Sequence, residues 1–327
     1  MLVYAGIDEA GYGPFYGPLT VARSIFTIPN LPSPTRENPT LELPNLWSRL
    51  SAAVCQKPKD AKHRIPVADS KTLKTKAAGI THIERTAYSF LNLKSDIPQT
   101  AKAFVDAVET QASLGLPWYA ALAETSTPTT RTPGEHALDA GLLRRTMQRI
   151  GVQCPDIRVA TIDEQRLNAL IDQYHSKAAA SFTAVAQHIH AVLEQFGEHH
   201  PVIALDRQSG RTRYREPLHL AFPDAHIDIL EETPKRSAYH LDADLGSATL
   251  LVQTEAESAH LPVALASIFA KLTREYAMLA FNHYFTTRIP DLKPTAGYGS
   301  DANRFRDDLA PYLAALNLAA ADLRRKA

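Results

Sequence analysis

Two adjacent acids stand near the start of the chain, in Val3-Tyr4-Ala5-Gly6-Ile7-Asp8-Glu9-Ala10-Gly11-Tyr12-Gly13-Pro14. The apolar run before them reads as a strand buried on both faces, and Gly11, Gly13 and Pro14 end it. Two carboxylates at the mouth of such a strand repel each other and lose hydration, so they call for a positive partner, and a divalent cation is the usual one. An isolated Asp-Glu pair is ordinarily solvated. This pair has company: a second apolar run, Pro201 to Leu205, delivers Asp206 at its end. Four arginines follow within nine positions, Arg207, Arg211, Arg213 and Arg215. A basic patch that begins beside a carboxylate suits a phosphate ligand. A third stretch, Asp69-Ser70-Lys71, opens a short helix on which Ser70 is the expected cap; helix starts and lysines both suit anions. His188, His190, His199 and His200 are spaced as a solvated helix end rather than as a metal cluster.

These residues need elements to position them. After the first strand, Leu19 to Ile28 reads as a second strand paired with it as a hairpin or meander, and prolines then punctuate a loop. Ala101 to Ser113 and Asp139 to Ile150 read as helices, Arg158 to Ile162 as a strand, and Gln165 to Phe196 as two helices or one bent one. Strands follow at His226 to Leu230 and Ser247 to Gln253. Glu257 stands just ahead of an Ala-rich helix from Pro262, built for close packing against a sheet. Gly297-Tyr298-Gly299 is a Gly-flanked aromatic on a loop, and Arg304 to Leu318 reads as a last helix. Of 327 residues, 45% are hydrophobic and 21% charged, with Lys plus Arg equal to Asp plus Glu at 35 each. The neutral balance argues against a protein that merely coats nucleic acid, so a polyanion would be met by a local patch. With two cysteines, Cys55 and Cys154, no zinc pattern and no apolar run of spanning length, the expectation is a soluble, monomeric, cytoplasmic protein with no membrane role.

In chain order, Gly6-Ile7-Asp8-Glu9-Ala10-Gly11-x-Gly13-Pro14, Gly17-Pro18-Leu19, Asp69-Ser70-Lys71, Asp206, Ala266-Ser267-Ile268-x-Ala270-Lys271-x-x-Arg274 and Gly297-Tyr298 resemble the motifs of type 2 ribonucleases H, ribonucleases HII and HIII. The resemblance implies an α/β fold of ribonuclease H type, a mixed sheet flanked by helices. It would form one catalytic domain over 1–327, with loop or helical insertions near 29–66 and 94–156 and a helical segment near 285–327. It implies hydrolysis of the RNA strand of RNA·DNA hybrids, or of DNA containing a ribonucleotide, with two Mg²⁺ or Mn²⁺ ions held by Asp8, Glu9, Asp206 and Glu257. Glu275 is the reserve for the fourth place. Gly11, Tyr12 and Gly13 would shape the minor-groove contact, Lys71 would meet phosphate, and Tyr298 would stack on a nucleotide; Arg211 joins the phosphate contacts on the strength of its basic patch. Where the family carries Arg or Lys between the two glycines, this sequence has Tyr12, and the His usual five residues beyond the stacking tyrosine is Asn303. A divergent nuclease of the same fold, or a hybrid-binding protein without turnover, are the alternatives. Because Asp8 and Glu9 are consecutive, a shared site also requires the chain to leave strand geometry at Glu9.

Overall fold

The computed structural model describes every residue except 35–41, 76, 209–210 and 327. Part of the insertion expected at 29–66 and two positions of the basic patch therefore lie outside the described residues. The strands are β1 (Leu2–Ala10), β2 (Leu19–Ile28), β3 (Val54–Cys55), β4 (Ile65–Pro66), β5 (Gln153–Ile162), β6 (Val202–Asp206), β7 (His226–Glu232), β8 (Arg236–Ala243) and β9 (Gly246–Gln253). The helices are α1 (Leu46–Arg49), α2 (Ser70–Leu73), α3 (Thr81–Leu91), α4 (Ala101–Val108), α5 (Pro133–Ile150), α6 (Glu164–Tyr174), α7 (Lys177–Phe196), α8 (Arg215–Ala221), α9 (Ala256–Ala259), α10 (Leu261–Thr286), α11 (Gly299–Leu309) and α12 (Ala320–Leu323).

Among the described residues, seven strands form one mixed sheet in the order β5-β2-β1-β6-β9-β8-β7. The hairpin expected from the spacing is there, with β1 and β2 antiparallel from Leu2↔Ile28 to Ala10↔Thr20. β6 runs parallel to β1, with Ile7 beside Leu205, and β9 runs parallel to β6, with Asp206 beside Gln253. Three strands thus end together, and the acids lie at that end. Helices cover both faces, as the resemblance implies.

Period-two alternation sorts the side chains between two cores. Leu2, Tyr4 and Ala204 pack under α10 with α3, α4 and α5 residues; Val3, Ala5, Ile7 and Leu205 pack under α7 with α6 and α8 residues. α10 is buried along most of its length, and its small residues let it lie close on β1. The closeness is greatest at Gly6, where a Cβ would fall 2.2 Å from the Pro262 carbonyl carbon. Residues 94–156 carry α4 and α5 and contribute Phe104, Trp118 and Leu143 to the core under α10. The last long helix begins at Gly299 and gives way by Ala310, where Pro311 cannot continue an α-helical ladder.

Candidate active site

Strand geometry does not end at Glu9. Asp8 pairs with Ala22, Glu9 with Val21 and Ala10 with Thr20 in unbroken register, so the expected departure from the strand is absent. The physical reason is that β2 runs alongside until Leu19, and the ladder has every partner it needs to continue. Asp8 therefore leaves by the α10 face and Glu9 by the α7 face. The Asp8 carboxylate accepts the Glu9 amide at 2.7 Å and is further held by Ser267 of α10. Ser267 Oγ is also hydrogen-bonded to Ser70 Oγ at 3.0 Å, so two separate stretches of sequence meet behind Asp8. The cap of α2 is Asp69, whose carboxylate accepts the Lys71 amide, while Ser70 is buried in that contact with Ser267. Glu9 accepts from Ser181 Oγ of α7 at 2.9 Å and from Gln208 Nε2 at 2.5 Å.

Asp206, two residues beyond Ala204, lies by the same alternation on the α10 face, and it lines one small cavity with Asp8 and Glu9. Its Oδ1 accepts the Ala256 amide at 3.0 Å, which joins the end of β6 to the start of α9. Glu257 lies in the first turn of α9, one residue beyond that amide. Its Oε2 is buried with no hydrogen-bond partner among the described residues.

The electrostatics show these acids as neighbours. Burial pushes Asp8 well above the usual carboxylate range, and the Asp206 and Glu257 charges add to it. Burial and then Asp206 push Glu257 up to about 7. Burial raises Glu9, with Asp206 adding to the rise and Ser181 and Gln208 opposing it. Asp206 is raised by burial and eased by its backbone donors, by a hydrogen bond with Glu257 and by the Lys71 charge. Even so, among the described residues no three acid, imidazole or thiol groups stand close enough together, as placed, to hold an ion. Asp8 and Glu9 are each drawn to their own donors on opposite faces of β1, while Asp206 and Glu257 hydrogen-bond to each other. The donor set nevertheless fits a hard cation: all ligands are carboxylate oxygens, one of them buried without a partner, in a place where negative charge is costly.

Glu275 is not part of this group, since it forms ion pairs with Lys74 at 2.6 Å and Lys271 at 2.9 Å, and those lysines hold its pKa down against burial. Tyr298 is 44% exposed beside Gly13, with the Arg274 guanidinium 5.4 Å from its ring centre. Tyr12 lies under Lys177, 5.4 Å from the ring. Arg211 rests over the rings of Phe182 and Tyr214, at 5.9 and 5.8 Å. The four histidines do not converge: His188 is buried against Arg23 and the Val21 carbonyl, and His200 stacks on His240.

Sequence reasoning missed the residues that hold the turn after β1. Arg274 donates to the Tyr16 carbonyl at 3.0 Å, Glu164 accepts the Gly17 amide at 2.9 Å, and Arg325 reaches the carbonyls of Gly11 and Tyr12. Arg274 was within reach, since it ends the Ala266 to Arg274 motif. Arg325 carries no local signal, because its partners lie more than 300 residues away in sequence.

No family model and no curated protein matches the chain. Solved structures do. The chain is similar to ribonuclease HII in its complex with PCNA from Archaeoglobus fulgidus, at 14% identity over 99% of this chain and 94% of that one, TM-score 0.44. It is similar to ribonuclease H2 of Pyrococcus horikoshii OT3, at 16% identity over 98% and 92%, TM-score 0.43. It is similar also to Bst-RNase HIII in complex with Mn²⁺, at 15% identity over 99% of this chain and 66% of that one, TM-score 0.49.

Proposed function

We propose that the protein is a metal-dependent endoribonuclease that hydrolyses the RNA strand of RNA·DNA hybrids, leaving a 3′-hydroxyl and a 5′-phosphate. The observation that carries the reading is the gathering of Asp8, Asp206 and Glu257 at one end of the sheet by β1, β6 and α9, where burial raises all three and the Asp206 charge raises Asp8 and Glu257 further. A protein has little reason to build this unless a cation completes it. The substrate class rests on the resemblance of the motifs.

Asp8, Asp206 and Glu257 would hold the ions from the α10 face, and Glu9 would join through Asp206 from the α7 face. Two Mg²⁺ or Mn²⁺ ions would supply an activated water and charge neutralisation on the attacking and leaving oxygens. The chain's own contribution is placement. Ser267 and the Glu9 amide orient Asp8, the Ala256 amide fixes Asp206, and Ser181 with Gln208 fixes Glu9. Lys71, beside Asp206, offers a phosphate contact at the edge of the acids. Tyr298, exposed next to Gly13, offers a stacking face, and stacking with contacts to the 2′-hydroxyl distinguishes RNA from DNA. A hybrid-binding protein without turnover gains nothing from carboxylates facing a polyanion.

Cleavage of a labelled continuous RNA·DNA hybrid and of a DNA duplex with one embedded ribonucleotide, in Mg²⁺ and in Mn²⁺, tests this directly. Cutting of either duplex that is lost in Asp206→Asn supports the reading. Absence of cutting in both metals overturns it.

A further inference from the structure

The segment after α12 sends one side chain back into the molecule. Arg325 is 2% exposed, and its backbone amide donates to the Phe15 carbonyl at 2.8 Å. Its guanidinium donates from Nη1 to the carbonyls of Gly11 at 2.6 Å and Gly17 at 3.3 Å, and from Nη2 to the Tyr12 carbonyl at 3.1 Å. Asn168 of α6 ties the segment down on both sides, donating to the Arg324 carbonyl at 2.9 Å and accepting the Lys326 amide at 2.7 Å. Among the described residues no carboxylate forms an ion pair with Arg325, and its Nε has no partner. Burial opposes its ionisation most, the Arg274 charge adds to that, and Glu164 favours it. A guanidinium buried among carbonyls, without a counter-ion, is an expensive way to hold a loop.

What it does to the loop follows from peptide geometry. The peptide bonds at Gly11-Tyr12 and Tyr12-Gly13 are trans, and in a trans peptide the carbonyl and the next N–H point in opposite directions. Drawing the Gly11 and Tyr12 carbonyls in toward Arg325 therefore turns the Tyr12 and Gly13 amides away from it. Neither amide has an acceptor among the described residues. Gly13 is exposed beside the Tyr298 ring. Gly11, at φ +87°, supplies the backbone conformation that makes this possible.

We infer that Arg325 is a positioning residue for substrate: by clamping the carbonyls of Gly11, Tyr12 and Gly17 it presents the Tyr12 and Gly13 amides, next to Tyr298, to an acceptor oxygen on the sugar–phosphate backbone. The planar fork of Arg is what spans three carbonyls; a lysine ammonium restores the charge without the span. The inference rests on the proposed nuclease reading for its substrate, but the clamp itself is separable from it.

The test uses the full chain with Arg325→Met and Arg325→Lys. In the metal-free protein, backbone amide resonances of Tyr12 and Gly13 should move in Arg325→Met, while those of Ala256 and Ser267 stay in place. Unmoved Tyr12 and Gly13 resonances overturn the clamp, and this holds whether or not the protein cuts anything. With the continuous hybrid, KM should rise by about tenfold or more in Arg325→Met with kcat within about twofold, as expected when a mutation weakens binding of substrate and transition state equally. Arg325→Lys should recover less than half of that rise. Full recovery by Lys would make charge, not the fork, the agent, and a parallel fall in kcat and melting temperature would make the residue merely structural; either overturns the inference. Should Arg325→Met not fold, Arg325→Lys carries the same resonance test, with unmoved resonances again deciding against it. A wild-type chain that cuts neither duplex sinks the nuclease reading, and the resonances then still decide the clamp.

Discussion

Glu84 and the acid group at the end of the sheet are buried in the same molecule, under the same helix, and are treated in opposite ways. Glu84 of α3 is 0% exposed, and five donors surround it. Oε1 accepts the Thr129 amide and hydroxyl at 2.8 Å each and the Tyr276 hydroxyl at 2.7 Å; Oε2 accepts the Thr130 amide at 2.9 Å and its hydroxyl at 2.5 Å. The Thr- and Pro-rich loop that follows α4 is wrapped onto this one carboxylate. Asp8, Asp206 and Glu257, by contrast, are all raised by burial, the Asp206 charge raises Asp8 and Glu257 further, and one Glu257 oxygen has no partner among the described residues. Burial alone says nothing about role. The number of donors around each acid separates a carboxylate that organises a loop from carboxylates left short for a ligand.

The contrast breaks if the two sites respond alike to loss of charge. Asp206→Asn should abolish cleavage, by at least about 10³-fold, while leaving the fold as stable as before or more so, because it removes a repelling charge. Cleavage rate and melting temperature measured together check this; a variant that keeps its rate removes Asp206 from the site. Glu84→Gln should do the reverse. Its new NH₂ group would face the Thr130 amide, donor against donor, and cost about 2 kcal/mol of stability with kcat on surviving protein nearly unchanged. Chemical denaturation reads the first quantity. An unchanged midpoint would mean the loop does not depend on this carboxylate.

The pH dependence sharpens the same contrast. Glu257 has a folded-state pKa raised from 4.5 to about 7, so the folded protein holds that proton more tightly than the unfolded chain. Stability from this group is complete below about pH 4.5 and is lost as pH rises through about 7. Metal-free protein should therefore melt at a lower temperature at pH 7.5 than at pH 5, and Glu257→Gln should flatten that slope. Mn²⁺ should restore melting temperature more at pH 7.5 than at pH 5, since it binds the ionised form. A melting temperature indifferent to Mn²⁺ at both pH values would take the metal out of the reading.

Much of this is legible in the sequence where short-range patterns carry it. The two apolar runs that end in Asp8 and Asp206 and the Ala-rich helix from Pro262 follow from periodicity and punctuation, whereas the helical run from Gln165 to Phe196 leaves open whether one bent helix or two, as α6 and α7 prove to be, would form. β8 does not follow from such patterns, because His240 and Asp242 interrupt its apolar run although most of it is buried in the sheet. Glu9 shows a second limit. The acid pair suggests one site, but which face each carboxylate takes depends on whether β2 keeps pairing, and that is a property of two strands. Arg325 shows the third: Arg324-Arg325-Lys326 reads as an ordinary basic run, and only the folded chain brings it behind Gly11. The Thr-rich loop carries no recognisable chemistry because its meaning lies in Glu84, some 45 residues earlier.

The smallest expected effect concerns the cations, and it separates Lys71 from Arg211. The sequence offers both as phosphate ligands. Lys71 is exposed on α2 and acts on Asp206, so a phosphate drawn to the acids and their ions passes within its field. Arg211 lies over Phe182 and Tyr214, so part of its attraction is already taken up by the rings, and with Phe182, Tyr174, Leu220 and Phe222 it lines a groove of about 580 Å³. Removing one cation that neutralises a phosphate should reduce the slope of log K against log salt by about 0.9. Lys71→Met should show a reduction of that size in hybrid binding, and Arg211→Met a smaller one. Equal reductions would make Arg211 a full phosphate ligand alongside Lys71. The reverse order would shift the nucleic-acid track from the α2 side of the acids to the groove between α7 and α8.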